Sequence, residues 1–355
     1  MPKVSQRWKI HEVDVSDLEF ERVPMLVQRR DGSTSKAWVP VGMPKINPRL
    51  VQASFFLCRE NPKHPDGFEG PFGTGCIVAR PATHSGEPHH YYAVSNRHVV
   101  HAYRASVIRI NTHDGRTRYI EKTPDVDWVF VGGQDDLAIA DISDDLNVDT
   151  DAVSCIPETG FATERFINQY EIGVGDDLFM LGLFVDQHGG DVNVPSGRFG
   201  NISLLASKDA PVQNDYGHRR PSHIGDMRSR TGYSGSPVFC YRNFGSDLKA
   251  AIRQTVQLDP RDHFLKFLGV HCGQFPDTIE FKKAKAEAAE PERVGDPIAE
   301  GDKIKIQSAL TIIVPAWEVS ALLDHGVLQA ARKQREKGGQ GKWARIPHAE
   351  LTGRG

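Results

Sequence analysis

The sequence predicts an all-β protein of sandwich or barrel type, finished by one helix. Two observations carry that reading. From about residue 50 onward, short runs rich in Val, Ile and aromatic residues recur, most of them bounded by Gly, Pro, Asn or Asp. The 33 Gly and 22 Pro of the chain also supply turns at a density that suits short strands better than long helices.

In order, the strand-length runs fall at 51–57, 75–79, 91–94, 106–110, 128–131 and 137–140. After a gap they resume at 178–184, 200–205, 237–240, 267–271 and 310–314. A split near 150–170 therefore separates two comparable β halves. One helix is well signalled: Pro315 precedes residues 316–323, whose apolar positions recur at helical spacing, and Gly326 sits where such a helix stops. The run 331–337 is basic and leads into Gly338-Gly-Gln-Gly341, so 326–355 reads as a solvated helix end and a basic flexible tail. Two polar excursions, 206–223 and 276–304, interrupt the second half, and the Ala/Lys/Glu-rich stretch 281–289 has the composition of an exposed helix. Residues 1–47 form an N-terminal extension without a motif.

Charge and cysteine usage exclude several classes of function. A net charge of −3 gives no global field to draw the chain to nucleic acid or an anionic membrane, and no apolar stretch is long enough to span a bilayer. The five cysteines (Cys58, Cys76, Cys155, Cys240 and Cys272) are odd in number and contain no Cys-x-x-Cys pair. That argues against a disulfide framework or a zinc cluster and for buried reduced thiols. With no secretory signal at the N-terminus, the expectation is a cytoplasmic setting. His84, His89 and His90 lie in a polar loop without carboxylates or cysteines at ligand spacing, so they read as surface histidines. Neither a metal nor any other cofactor is expected.

Three short motifs carry chemistry. Gly232-Tyr-Ser-Gly-Ser-Pro237 places a hydroxyl between glycines, where a tight turn converges backbone N–H groups on one point. Ser234 is the candidate nucleophile, and the N–H groups of Gly232 and Ser234 are the candidate oxyanion hole. Ala93-Val-Ser-Asn-Arg-His-Val-Val100 puts His98 just after an apolar strand, as a base. In Gln134-Asp-Asp-Leu-Ala-Ile-Ala-Asp141 a carboxylate enters an apolar strand, where it needs a partner such as an imidazolium to stay ionised. Each motif alone has an ordinary structural explanation. Together they occur in the order His, Asp, Ser, with spacings of roughly forty and a hundred residues, as in the chymotrypsin type of triad.

On these residues the chain resembles the trypsin/chymotrypsin clan, in particular the bacterial branch with the high-temperature-requirement proteases and the glutamyl endopeptidases. Ser95-Asn-Arg-His-Val-Val100 is similar to that branch's Thr-Asn-x-His-Val-Val. Asp136-Leu-Ala-Ile is similar to its Asp-Leu-Ala-Val and selects Asp136 over Asp135. Phe72-Gly-Thr-Gly-Cys-Ile-Val78, Val174-Gly-Asp-Asp-Leu-Phe-Met-Leu-Gly182 and Thr311-Ile-Ile-Val-Pro-Ala-Trp-Glu-Val319 extend the likeness across about residues 50–325. The resemblance implies two six-stranded antiparallel Greek-key β-barrels, chymotrypsin-like, with the triad in the cleft between them and a C-terminal helix. A peptidase domain at 48–325 follows, with barrel one at about 48–155, barrel two at about 170–315 and a closing helix at 316–325.

It further implies a serine endopeptidase acting on protein or peptide substrates. Tyr233 stands where trypsin has the Asp that captures a new N-terminus, so no trypsin-type activation is expected. Ser236 stands where many relatives carry a second glycine and matches the glutamyl endopeptidases. Their pocket for the residue before the scissile bond (P1) corresponds to Arg228, Ser229, His271, Cys272 and Gly273, which suggests a preference for Glu or Asp there. A catalytically silent or partner-activated binding module is the alternative, and 276–304 or the basic tail would dock a regulatory partner.

Overall fold

The computed structural model describes residues 46–83, 89–130, 136–185, 189–213, 219–242, 264–280 and 303–337, with backbone alone at 276–280 and 303–308. It also describes the backbone of three strands, β1 (Arg22–Gln28), β2 (Thr34–Pro40) and β17 (Val256–Gln257), which form a small separate sheet. Stretch 281–289, His84 and most of the N-terminal extension lie outside the described residues.

The first half is one curled antiparallel sheet. Its strands are β3 (Ser54–Glu60), β4 (Phe68–Arg80), β5 (His90–Ser95), β6 (Val107–Asn111), β7 (Thr117–Ile120), β8 (Trp128–Val129) and β9 (Ala138–Asp141). They lie in the order β7-β6-β3-β4-β5-β9-β8, and β10 (Ile156–Pro157) pairs parallel with β4. A short helix, Pro48–Gln52, occupies the first part of the run expected as a strand at 51–57. Alternation sends Phe55, Leu57, Ile77, Tyr91, Ile108 and Trp128 into one interior cluster.

Among the described residues the first barrel implied by the resemblance is not continuously paired. In a closed barrel residues 117–129 would be one strand joining β6 to β9, but among the described residues β7 pairs only with β6 and β8 only with β9. The physical reason is the turn between them. Thr123 O accepts from Asp127 N at 3.0 Å, and the Asp127 carboxylate accepts from Thr123 N at 2.7 Å. That turn breaks what would be one strand and leaves β8 two residues long. Trp128 fills the seam instead, its indole N–H donating to Ser106 O at 3.2 Å.

The second half does close. Strands β11 (Asp177–Gly182), β12 (Ser196–Leu204), β15 (His223–Asp226), β16 (Pro237–Arg242), β18 (Phe264–Glu280) and β19 (Lys303–Pro315) form a six-stranded barrel in the order β11-β12-β15-β19-β18-β16. The excursion read at 206–223 carries a small hairpin, β13 (Val212–Gln213) with β14 (Arg219–Arg220). The ends of the 276–304 excursion are strand, because Pro276–Glu280 pairs with Lys303–Gln307. A second apolar cluster runs across both halves and the closing helix, joining Val94, Ile139, Phe239, Phe267, Val319 and Leu322.

The closing helix spans Ala316–Leu323 behind Pro315, as the sequence predicts. The tail does not follow expectation. Gly326–Lys337 is a second helix, with Leu328 and Arg332 buried against the first sheet. Arg332 donates to Tyr92 Oη at 3.0 Å and to Leu323 O at 2.9 Å. Arg335 reaches Asp141 at 3.0 Å and Asp144 at 3.1 Å, and Glu336 Oε1 meets His90 Nε2 at 2.9 Å. Two members of the basic run, Arg332 and Arg335, are thus held against the first half of the chain.

His90 is accordingly buried at the start of β5, not a surface histidine. Burial, with Arg335 alongside, holds it below the usual imidazole range against the pull of Glu336. Burial would raise Glu336, but its bonds from His90 and Thr83 prevail and bring it to about 2. All five cysteines are free and buried. No described helix is long and apolar enough to cross a membrane.

Candidate active site

His98 and Asp136 meet because of strand register. In the antiparallel pair β5–β9, Ser95 lies opposite Ala138. The chain leaves β5 just after Ser95 and enters β9 just before Ala138, so both residues emerge at the same end of the sheet. A single π-type turn, His98–Ala102, begins there. The Asp136 carboxylate accepts from His98 N at 2.9 Å and meets His98 Nδ1 at 2.6 Å. Asn96 Nδ2 donates to Asp136 O at 2.8 Å, fixing the carboxylate's own backbone. With Nδ1–H given to Asp136, Nε2 is the basic nitrogen of the ring.

The Ser234 turn belongs to the closed barrel and is pinned from the first sheet. Thr74, on β4, donates through its amide to Ser234 O at 2.9 Å and through its hydroxyl to Gly232 O at 2.8 Å. The same hydroxyl accepts from Leu183 N at 2.8 Å. Tyr233 O accepts from Ser236 N at 2.9 Å, and Tyr233 N donates to Arg230 O at 3.2 Å. In a trans peptide N–H and C=O point oppositely, so the bond at Tyr233 O sets the direction of the Ser234 N–H. Among the described residues neither the Gly232 nor the Ser234 N–H donates to another group. Gly232 and Gly235 have φ of +99° and +87°, which favours glycine at both positions. A Cβ on Gly235 would also overlap Thr74 O and Ser95 Oγ. Ser234 is partly exposed, and among the described residues no hydrogen bond joins its Oγ to the His98 ring.

Tyr233 is fully buried against Gly182, and its phenol bonds Ser196 Oγ and Arg198 Nε, the latter at 3.1 Å. An internal anchor thus occupies the position from which trypsin's Asp reaches its new N-terminus. Sequence reasoning missed the roles of Thr74, Ser95 and Ser196. The only local signal was a threonine between two glycines in Phe72-Gly-Thr-Gly75.

The residues read as a P1 pocket separate. Ser229 Oγ and His271 Nε2 are 2.7 Å apart, and both residues are buried. His271 O accepts from Gly235 N at 3.0 Å, and His271 N donates to Ser236 O at 2.9 Å, so this strand borders the nucleophile turn. Burial, helped by the nearby His98, pushes His271 down to about 3. It is therefore neutral when the site is empty. Cys272 is buried, with Sγ 3.6 Å from Ile312 O, and Gly273 continues the strand. Arg228 is exposed, so its reading as the pocket base is corrected: Ser229 takes the inward position. The backbone alternates direction from one residue to the next there, and alignment alone does not fix which side chain turns in.

No family model and no curated protein matches the chain. Among solved structures it is similar to the Rv3671c protease from M. tuberculosis. The active form is 15% identical, with a TM-score of 0.38 over 87% of this chain and 97% of that one. An inactive serine-to-alanine mutant form is also 15% identical, with a TM-score of 0.37 over 80% and 96%. The functional reading rests on His98, Asp136 and the Ser234 turn, and not on these likenesses.

Proposed function

We propose that the chain is a serine endopeptidase in which His98, Asp136 and Ser234 form a triad. The single observation that carries this is the buried His98–Asp136 pair emerging beside a glycine-bounded serine turn with two unspent amides. In the reaction, Ser234 Oγ attacks a peptide carbonyl as His98 Nε2 takes its proton. Asp136 holds the ring's tautomer and offsets the imidazolium charge. The Gly232 and Ser234 amides receive the oxyanion. His98 then returns the proton to the leaving amine, and water resolves the acyl-enzyme by the same route. Fluorophosphonate labelling tests this: wild type should label, and Ser234→Ala should lose the label while keeping its melting temperature. A labelled Ser234→Ala protein would put the nucleophile elsewhere.

One observation favours a second reading, a silent or partner-activated module of the same fold. Within the turn only the Thr231–Gly232 peptide lacks a described hydrogen bond, so the direction of the Gly232 N–H is the least fixed part of the oxyanion hole. A wild-type protein that is folded but unlabelled would select this reading. An acidic P1 preference now draws on His271 and Ser229 alone. Enrichment of Glu or Asp at P1 in a peptide-library digest would support it, and a flat P1 profile would reduce both to packing residues.

A further inference from the structure

The nucleophile turn has two flanks. The His271 strand borders its Gly235–Ser236 end. At the other end, a Cβ on Gly232 would meet the Val185 side chain and Leu183 O. Phe184 lies between those two residues, partly exposed, and Val185 is 41% exposed. Arg198 Cζ stands 5.9 Å from the Phe184 ring centre and Arg230 Cζ 5.7 Å from it, so one ring serves two guanidinium groups.

These cations differ from five arginines elsewhere in the molecule. Arg59, Arg80, Arg118, Arg242 and Arg335 each contact a carboxylate, at Glu69, Glu158, Asp151, Asp176 and Asp141 respectively. Arg198 and Arg230 make no ion pair with any described residue, and neither does the exposed Arg228. Arg198 is instead held by Tyr233 Oη at 3.1 Å, an acceptor that leaves its charge uncompensated. Two guanidinium groups over one aromatic ring, neither paired with a described carboxylate, form a receptor for a carboxylate.

We propose that this flank is a subsite for an acidic side chain of the substrate, on the leaving-group side of the scissile bond. The inference rests on the endopeptidase reading, which places the acyl part against the Ser229–His271 flank. A peptide crossing Ser234 then continues over Phe184, where Arg230 and Arg198 meet it. Charge of this kind also accelerates encounter, in a salt-dependent way.

The test is a peptide library randomised on both sides of the cut, with products mapped by mass spectrometry. Asp and Glu should be enriched at the first or second position after the scissile bond. A matched Glu/Gln substrate pair should differ by about fivefold in kcat/KM at low salt, and less at high salt. Arg230→Glu should invert the ratio towards Lys, and Arg230→Gln should abolish it if the reversal does not fold. Cleavage without acidic enrichment after the bond, or with enrichment only before it, overturns the subsite while the endopeptidase reading stands. If the wild type neither cleaves nor labels, the endopeptidase reading falls instead. Fluorescence anisotropy of the Glu and Gln peptides on Ser234→Ala protein then decides the subsite, and equal affinities overturn it.

Discussion

The second half closes its sheet with hydrogen bonds all the way round, from β16 back to β11. The first half stops at β7 and β8, fills its seam with Trp128, and is braced from outside by the helix Gly326–Lys337. The candidate site is divided along the same line. The open sheet supplies His98 and Asp136, and the closed barrel supplies the Ser234 turn. Thr74 ties the halves together at the turn itself. The difference teaches that an interrupted sheet can still bring His98 and Asp136 together, because the β5–β9 register places both at one end of the strands.

Four experiments break or sharpen this comparison. The largest effect belongs to the open half. Asp136→Asn keeps the volume but removes the acceptor at His98 Nδ1, and should slow fluorophosphonate labelling about 10⁴-fold. A loss under tenfold would mean that Asp136 does not set the ring's tautomer.

Acid should act next, and mainly on the barrel. Burial holds both His223 and His271 at about 3. Both values lie below the unfolded value near 6.5, so the unfolded chain binds more protons between those limits. Stability is therefore complete above about pH 6.5 and falls as the pH drops towards 3, by about 1.4 kcal/mol per unit for each residue. At pH 5 the pair should cost about 4 kcal/mol by denaturant titration. Equal stability at pH 7 and pH 5 would mean that these rings are not buried neutral.

Gly235→Ala probes the seam. Its Cβ meets Thr74 O at a positive φ, and about 3 kcal/mol of stability should be lost. A stable, fully labelled variant would contradict the contact. Arg335→Leu is the mildest, at about 2 kcal/mol. It should raise amide exchange in β5 and β9 and leave β15 unchanged. Faster exchange in β15 would show that the helix braces both halves.

The sequence made some of this legible and hid the rest for identifiable reasons. The strand runs were visible because buried β positions select Val, Ile and aromatics locally, as in Ala138–Asp141. His98, Asp136 and Ser234 stood out because their order along the chain is informative. Thr74 did not, because its partners Leu183 and Gly232 are 109 and 158 residues away. Arg332, Arg335 and Glu336 looked solvated for the same reason: Tyr92, Asp141 and His90 bind them from remote strands. The break in the first sheet falls at one turn, Thr123 to Asp127, set by hydrogen bonds that no apolar pattern reports.

The brace has a consequence in time. Synthesis runs from the N-terminus, so Gly326–Lys337 leaves the ribosome after every strand of both sheets. Until it has emerged and docked, β5 and β9 lack the contacts that Arg332, Arg335 and Glu336 make at Tyr92, Asp141 and His90, at the ends of those strands remote from His98 and Asp136. The first sheet is thus braced from outside, by a segment that follows all of its strands in the chain.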